Sequence, residues 1–434
     1  MVRPVGVRQV RFVSRVGFVA SCLFWHFLLF VLAWWWLLLR GRGRAARKER
    51  FAQGVLDLFR VLGATFIKVG QILSTRPDLL PPHIVRALEK LQDDVGPFSY
   101  DRMRAILRAE LGRDVEAIFA EFAATPIASA SVAQVHKARL PDGRVVAVKV
   151  RRPGIEDICE FDLQMIRLVA RLLSIPRSIR LLAPVESVDQ FAHGIRTQLD
   201  FRIEAANSRR FRENFAGDPD VWFPALVEPL CTRAVLVMEY VEGVKILESG
   251  RTGGDGKRLA RIGFQTLLKM VFAHGFVHAD LHPGNIFVTP EGRVAILDVG
   301  LCAQLDDVNR GAFAAYFAAW ARNDGRTMAR IMVDYSPSRD KVPDYAGFER
   351  AVVEFAGRWW GKRVGEVQVG RVVFEMLNIL RRYRVRANPV FTLVNIAIAV
   401  TEGIGKQLDP EIDMLTEAAP FFATIGLSTV AGSS

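Results

Sequence analysis

Between Val16 and Leu39 the chain runs for 24 residues without an Asp, Glu, Lys or Arg. As a helix this stretch is about 36 Å long, against about 30 Å for a bilayer core, so it is expected to span a membrane with some tilt. Trp34, Trp35 and Trp36 crowd one end, where indole rings suit the headgroup layer. A cleaved signal peptide has a shorter apolar core and a small-residue cleavage site, and neither pattern is found here. His26, in mid-run, is a mild cost as a neutral imidazole.

Beyond this run the periodicity changes. Residues 51–125 read as mostly helical. Residues 126–150 alternate as two β-prone runs around the turn Pro141-Asp142-Gly143, a hairpin. Two helices are expected between 153 and 215, and a buried strand over 234–243 that runs into a polar connector. Gly250 to Gly256 reads as a flexible loop. Phe264, Leu267, Leu268, Val271 and Phe272 recur at helical spacing, and Gly275 is placed to end that helix. Asn285–Val288 and Arg293–Leu297 flank Pro290-Glu291-Gly292, a second hairpin. Helical periodicity returns at 312–320 and 374–384. Phe391–Val400 is apolar, but at about ten residues it reads as too short for a second span. The tail at 430–434 is expected to fray. No repeat of solenoid length is present.

Charge adds a direction to this picture. The net charge is +12, and the first 50 residues alone hold ten Lys and Arg against one acid, Glu49. A nucleic-acid binder spreads its basic residues over a folded surface. Here they bracket the apolar run, so the expected partner is anionic lipid, not nucleic acid. The larger cluster follows the run, at Arg40, Arg42, Arg44, Arg47, Lys48 and Arg50. Positive-inside logic then places the bulk of the protein in the cytoplasm, with a helix lying in the interface as the alternative. Cys22, Cys159, Cys231 and Cys302 form no C-x-x-C pair, which argues against a disulfide framework or zinc ribbon.

The candidate chemistry centres on His278–Gly300. Asp280, Asn285 and Asp298 have the spacing of a kinase catalytic loop followed by its metal-binding Asp. Phosphoryl transfer needs oxygen ligands for Mg²⁺ and a carboxylate near the attacking group. His274, His278 and His282 are spaced by four and raise a rival reading, an imidazole metal site on one helix. Gly275 and Pro283-Gly284 break that helix. Upstream, Val146-Ala-Val-Lys149 is similar to the kinase strand whose Lys holds nucleotide phosphates. A Gly-rich loop is missing. Ala128-Ser129-Ala130-Ser131 stands in its place, small enough to let backbone approach a phosphate. Lys68 and Gln71 share a helix face, and Gly70 between them marks close packing.

Together these motifs resemble the UbiB/AarF family of atypical kinase-like proteins over about residues 50–410. The resemblance rests on Lys68-Val-Gly70-Gln71 with STRPDLLP, IASASVAQVH with VAVK, LDFRIEAAN, HADLHPGN and ILDVG. It implies an α+β, two-lobed protein-kinase-like fold with an N-terminal helical extension, here preceded by a transmembrane helix. The expected domains are 1–50 with the span at 16–39, the K-x-G-Q extension at 51–125, an N-lobe at 126–243 and a C-lobe at 244–434. The resemblance implies ATP and Mg²⁺ as cofactors. Lys149 would contact the phosphates and pair with Glu204, beneath an Ala-rich loop from Ala128 to Val135. Asp280 would hold the catalytic-loop place, with Asn285 and Asp298 on the metal. Lys68, Gly70 and Gln71 would regulate from the extension, which closes the protein-substrate groove and makes ordinary protein kinase activity doubtful. Two departures stand out. The family's E-x-D pair reads Gln198-Leu199-Asp200, and Val299 replaces the Phe of D-F-G.

The expected function is a membrane-anchored atypical kinase or ATPase supporting ubiquinone or other isoprenoid-lipid metabolism at a bacterial inner membrane. Its partners would be quinone-pathway intermediates and enzymes. The alternatives are a non-catalytic nucleotide-binding scaffold and a small-molecule phosphotransferase.

Overall fold

The computed structural model describes residues 5–39, 43–74, 80–88, 90–91, 96–175, 184–251, 254–337, 342–360 and 369–412. Thr75–Leu79 of the STRPDLLP motif and the 430–434 tail lie outside these residues.

The chain opens with helices α1 (Val5–Leu39), α2 (Arg44–Leu62), α3 (Ala64–Ser74), α4 (Pro82–Leu88), α5 (Tyr100–Leu111) and α6 (Val115–Ile118). Strands β1 (Glu121–Phe122), β2 (Ala128–Ser129), β3 (Ala133–Arg139) and β4 (Val145–Arg151) come next. Helices α7 (Ile155–Leu173), α8 (Pro184–Leu199) and α9 (Phe201–Asn214) lead to β5 (Val221–Trp222), β6 (Val235–Glu239) and β7 (Val244–Lys245). After α10 (Ile246–Arg251) and α11 (Gly256–Leu268) come β8 (Phe276–His278), β9 (Ile286–Val288), β10 (Val294–Ile296) and β11 (Cys302–Gln304). The chain closes with α12 (Asp307–Ala321), α13 (Gly325–Asp334), α14 (Tyr345–Trp359), α15 (Val369–Tyr383) and α16 (Pro389–Leu408).

Two compact units result. The first comprises Met1–Ile203 with Val227–Glu239, and the second Glu204–Leu226 with Tyr240–Ser434.

In the first unit the hairpin forms as its turn residues dictate. Gly143 takes a left-handed φ of 91° and closes the turn through its N–H on the Leu140 carbonyl. β4 then pairs antiparallel with β3 and β6, and β2 adds to the far side of β3. Alternation divides the sheet. His136, Ala138, Val146, Val148 and Val150 are buried, and all but His136 join a core with Met103, Leu107 and Ile118 from α5 and α6. Val135, Ala147 and Lys149 are half-buried on the opposite face. The helical extension has its own core, where Leu56 of α2 meets Ile67 of α3 and Leu88 of α4. Val69 of α3 packs with Cys159, Leu163 and Ile195 of α7 and α8.

In the second unit β5, β10, β9 and β7 form one sheet, and β8 with β11 a second. Gly292 (φ 78°) turns the expected hairpin, with Val294 opposite Val288. Gly275 (φ 58°) ends the helical segment, whose last turn is a π-helix over Lys269–Ala273. Two expectations need correction. Residues 250–256 are not wholly a loop, because α10 runs to Arg251 and Asp255 already caps α11 by accepting from the Arg258 N–H. The apolar stretch around Phe391–Val400 is part of a 20-residue helix, because Asn388 caps it early and polar Thr401, Lys406 and Gln407 prolong it.

Among the described residues, two helices are therefore long and apolar enough to cross a membrane, Ser14–Trp36 and Pro389–Leu408. They differ in burial. Val394, Ala397, Thr401 and Ile404 of the second are buried, whereas only 6% of the first is.

Candidate nucleotide site

The second unit carries Asp280, Asn285 and Asp298. β8 ends at His278, whose ring is fully buried. Its Nδ1 accepts from the Asp280 N–H at 3.1 Å, so the proton lies on Nε2, 3.3 Å from the Leu297 carbonyl. One imidazole thus ties the start of the catalytic loop to the residue before Asp298. Burial lowers the pKa of His278, against the opposing pull of Asp280, and keeps the ring neutral. The loop itself is a tight 3-10 turn over Pro283–Asn285, with the Asn285 N–H on the His282 carbonyl at 2.9 Å. Asp280 is left exposed.

Asp298 follows β10 with a left-handed φ of 52°, a conformation that costs a non-glycine residue about 1–2 kcal/mol. Its neighbour Gly300 explains what surrounds it. A Cβ at Gly300 would lie 3.4 Å from Asp298 Oδ1 and 3.6 Å from Glu204 Oε2. Two carboxylates therefore flank one glycine, and Glu204 is almost fully buried there. Cys302 registers the same charge. Its thiol pKa is pushed far up by burial first, then by Glu204 and Asp298. Three residues along α9, the Asn207 amide donates to the Val299 carbonyl at 2.9 Å. Helix α9 thus holds Asp298-Val299-Gly300 through Asn207. Val299 is buried.

Among the alternatives to Glu204, Glu213 lies at the end of α9, and Glu186 has no described side-chain environment. The three histidines serve structure. His274 packs on Phe215 with centroids 5.3 Å apart, His278 is the buried tie, and His282 caps its own turn by accepting from the Gly284 N–H. Among the described residues no group of three His, Cys, Asp or Glu could hold a metal. The oxygen donors of Asp298 and Asn285 suit a hard cation such as Mg²⁺, which keeps several waters and needs few protein ligands.

The first unit carries Lys149 and the Ala128–Ser131 segment. Lys149 lies on β4 between Val135 and Leu236 of the neighbouring strands. Its Nζ sits 5.3 Å from the ring centroid of buried Phe201. The Ala128–Ser131 segment is latched by Arg152, a residue the motif comparison passed over. Its guanidinium donates to the Ala130 carbonyl (2.8 Å), Ser129 Oγ (2.9 Å) and the Gly96 carbonyl (2.8 Å). A loop without glycine is thus held by a cation. The Ser131 hydroxyl is fully buried and lacks a hydrogen-bond partner.

On α3, Gly70 is required by contact. A Cβ there would meet Leu91 and come within 2.7 Å of the Phe59 ring. Gln71 donates to the Leu91 carbonyl at 3.4 Å, and Lys68 is half-buried. Asp200 caps α9 by accepting from the Arg202 N–H and binds the Arg202 guanidinium at 2.6 Å. The hydrogen bond from Arg202 lowers its pKa, with further help from Arg233. Gln198 buries its Oε1 without a partner.

The sequence matches the ABC1 atypical kinase-like domain model over residues 90–332 and the UbiB helical domain model over 352–413. It is 37% identical over 375 residues to the probable protein kinase UbiB of Aeromonas hydrophila, covering 84% of this chain and 68% of that one. It is 36% identical over 406 residues to that of Pseudomonas aeruginosa, covering 89% and 75%. The structure is similar to the Rv3197–erythromycin complex from Mycobacterium tuberculosis, with a TM-score of 0.55 and 25% identity over 84% of this chain and 92% of that one.

Proposed function

The chain belongs to the UbiB family of ABC1 atypical kinase-like proteins, and from that premise we propose that it binds Mg-ATP and turns it over in support of ubiquinone or related isoprenoid-quinone biosynthesis. The observation that carries the reading is the acidic cluster held by α9. Glu204 and Asp298 flank Gly300, and Asp298 is kept in a left-handed conformation, a strain of the kind that clusters at functional sites. Asp298 and Asn285 take the Mg²⁺, which neutralises phosphate charge when bound. Lys149 holds the phosphates, with Ala128–Ser131 and Val135 over them. Asp280 orients the attacking group. The K-x-G-Q extension, with Lys68 and Gln71, regulates turnover and disfavours protein substrates. Quinone-pathway intermediates and enzymes are the proposed partners. Attachment to the inner membrane runs through α1, as a single span or lying in the interface, with the kinase-like part in the cytoplasm.

Titration with Mg-ATP tests the reading. Wild type should bind, and Asp298→Ala should lose at least about tenfold in affinity, the scale of one charged ligand contact. Unchanged binding and hydrolysis in Asp298→Ala would overturn it. Quinone content with and without the gene product tests the pathway. Gln198 and the ion-paired Asp200 favour a second reading, a nucleotide-binding scaffold without turnover. ATP hydrolysis abolished by Asp280→Asn counts against that one.

A further inference from the structure

Helix α1 does not stand alone, although its composition would let it cross a bilayer. Arg15 sits at the start of its apolar run. Its guanidinium grips Asp162 of α7 through Nε and Nη2, each at 2.8 Å, and donates to the Leu62 carbonyl at 2.7 Å. The Asp162 side chain is fully buried. Further along, Phe30 of α1 packs on Phe51 of α2, and Trp34 lies 5.1 Å from the Arg47 guanidinium. The contacts 15–62, 30–51 and 34–47 descend in step, so α1 and α2 form an antiparallel hairpin along the length of the apolar run.

That hairpin conflicts with crossing. From Arg15 to Leu39 is about 36 Å of helix, more than a bilayer core. If α1 crossed, Arg15 and Leu39 would lie on opposite faces of the membrane. Arg15 is bonded to Leu62 and Asp162, which belong to the same compact unit as Arg47 near the other end. Helix α2 cannot follow α1 through hydrocarbon, because it carries Glu49, Asp57 and Arg60 as well as its basic start.

What α1 offers instead is one face. Arg15, Val19, Cys22, His26, Phe30 and Trp34 are turned inward at helical spacing. Phe24, Trp25, Phe27, Leu32 and Trp35 point outward, each more than half exposed. So large an apolar face marks an interaction surface. The basic residues that follow it, Arg40 to Arg50, match the charge of anionic lipid headgroups.

We propose that α1 is a membrane-lying helix: the Arg15–Asp162 clamp holds it along α2, and its Phe24–Trp35 face enters the headgroup layer of an anionic bilayer with both ends on the cytoplasmic side. The proposal rests on membrane attachment through α1 and specifies its form.

Site-directed labelling of the full chain decides it. Ser14→Cys and Gly43→Cys mark the two ends of the apolar run of α1 at exposed positions. Inverted inner-membrane vesicles from cells expressing each variant are treated with an impermeant maleimide, and peptide mapping separates the new sites from the native cysteines. Both sites should label to within about twofold of the detergent-solubilised protein, as both ends of an interfacial helix stay in water. Labelling of one end only would show a span and overturn the proposal. A protein absent from the vesicles would overturn the attachment reading itself. A lipid-free dimer shielding Phe24 and Trp25 would assign the face to a second copy and equally overturn the proposal. The clamp has its own readout in hydrogen exchange. Arg15→Gln should speed exchange at the amides around Val19 and Leu62 while α11 stays protected, and unchanged exchange at those amides would overturn the clamp.

Discussion

Single residues decide how the acidic cluster is built. Asn207 contributes one hydrogen bond, to the Val299 carbonyl, and a neutral bond of this kind is worth about 0.5–1.5 kcal/mol. Asn207→Ala should therefore weaken Mg-ATP binding by about threefold to tenfold with the fold retained, as isothermal titration would show. Asp298 stands in a different balance. Its carboxylate shares the neighbourhood of Gly300 with that of Glu204. Asp298→Asn keeps a residue that tolerates left-handed backbone and removes one charge. The variant should keep its fold while losing Mg-ATP affinity by at least about tenfold. A fall in melting temperature would mean that the Asp298 charge stabilises the apo protein. At this scale the sequence singles out Asp280, Asn285 and Asp298 by spacing alone, because that spacing is local to the chain. It passed over Asn207, His278 as a tie, and Arg152. Their partners lie 92, 19 and 22 residues away, and no local signal marks a hydrogen bond across such distances.

Elements were legible where periodicity was long or a turn was chemically marked. The two hairpins formed around Asp142-Gly143 and Glu291-Gly292 because both glycines adopt positive φ. The end of the last helix before the catalytic loop was placed for the same reason, at Gly275. Helix α16 was underestimated, because its apolar core is short while capping and a polar last turn extend it to twenty residues. The contact between α3 and its neighbours is set by Gly70. Gly70→Val should push Phe59 and Leu91 away from α3 and destabilise the protein by about 1–3 kcal/mol, the usual range for overpacking. Thermal denaturation measures this, and a simultaneous change in ATP turnover would tie the packing of α3 to regulation.

Over the whole molecule, histidine burial sets the acid limit of stability. His136 and His278 are both fully buried, and burial is the leading cause of the lowered pKa of each. A group with a depressed folded pKa binds its proton more readily when unfolded. Stability is thus full above the unfolded value of 6.5 and falls as pH drops from there toward the folded values. Each group contributes a slope of up to about 1.4 kcal/mol per pH unit in that window. The melting temperature should be flat from pH 7 to 8 and decline below 6.5, and His136→Gln should flatten part of the decline. The Gln amide can still meet Gln134, which contacts the ring in the native protein.

The sequence by itself determined the family, the kinase-like α+β class, the loop spacing of Asp280, Asn285 and Asp298, and the apolar character of α1. All of these are properties of composition, periodicity or short-range order. Only the tertiary structure decided that Asn207 of α9 bonds the Asp298 segment, that Arg152 latches the Ala128–Ser131 loop, and that α1 is paired along α2. Each depends on side chains distant in sequence meeting in space. The physical reason is clearest in Arg15. In the sequence it is one of four arginines before an apolar run. In the fold it neutralises a buried carboxylate 147 positions away, and that bond bears on whether the helix crosses a membrane or lies upon it.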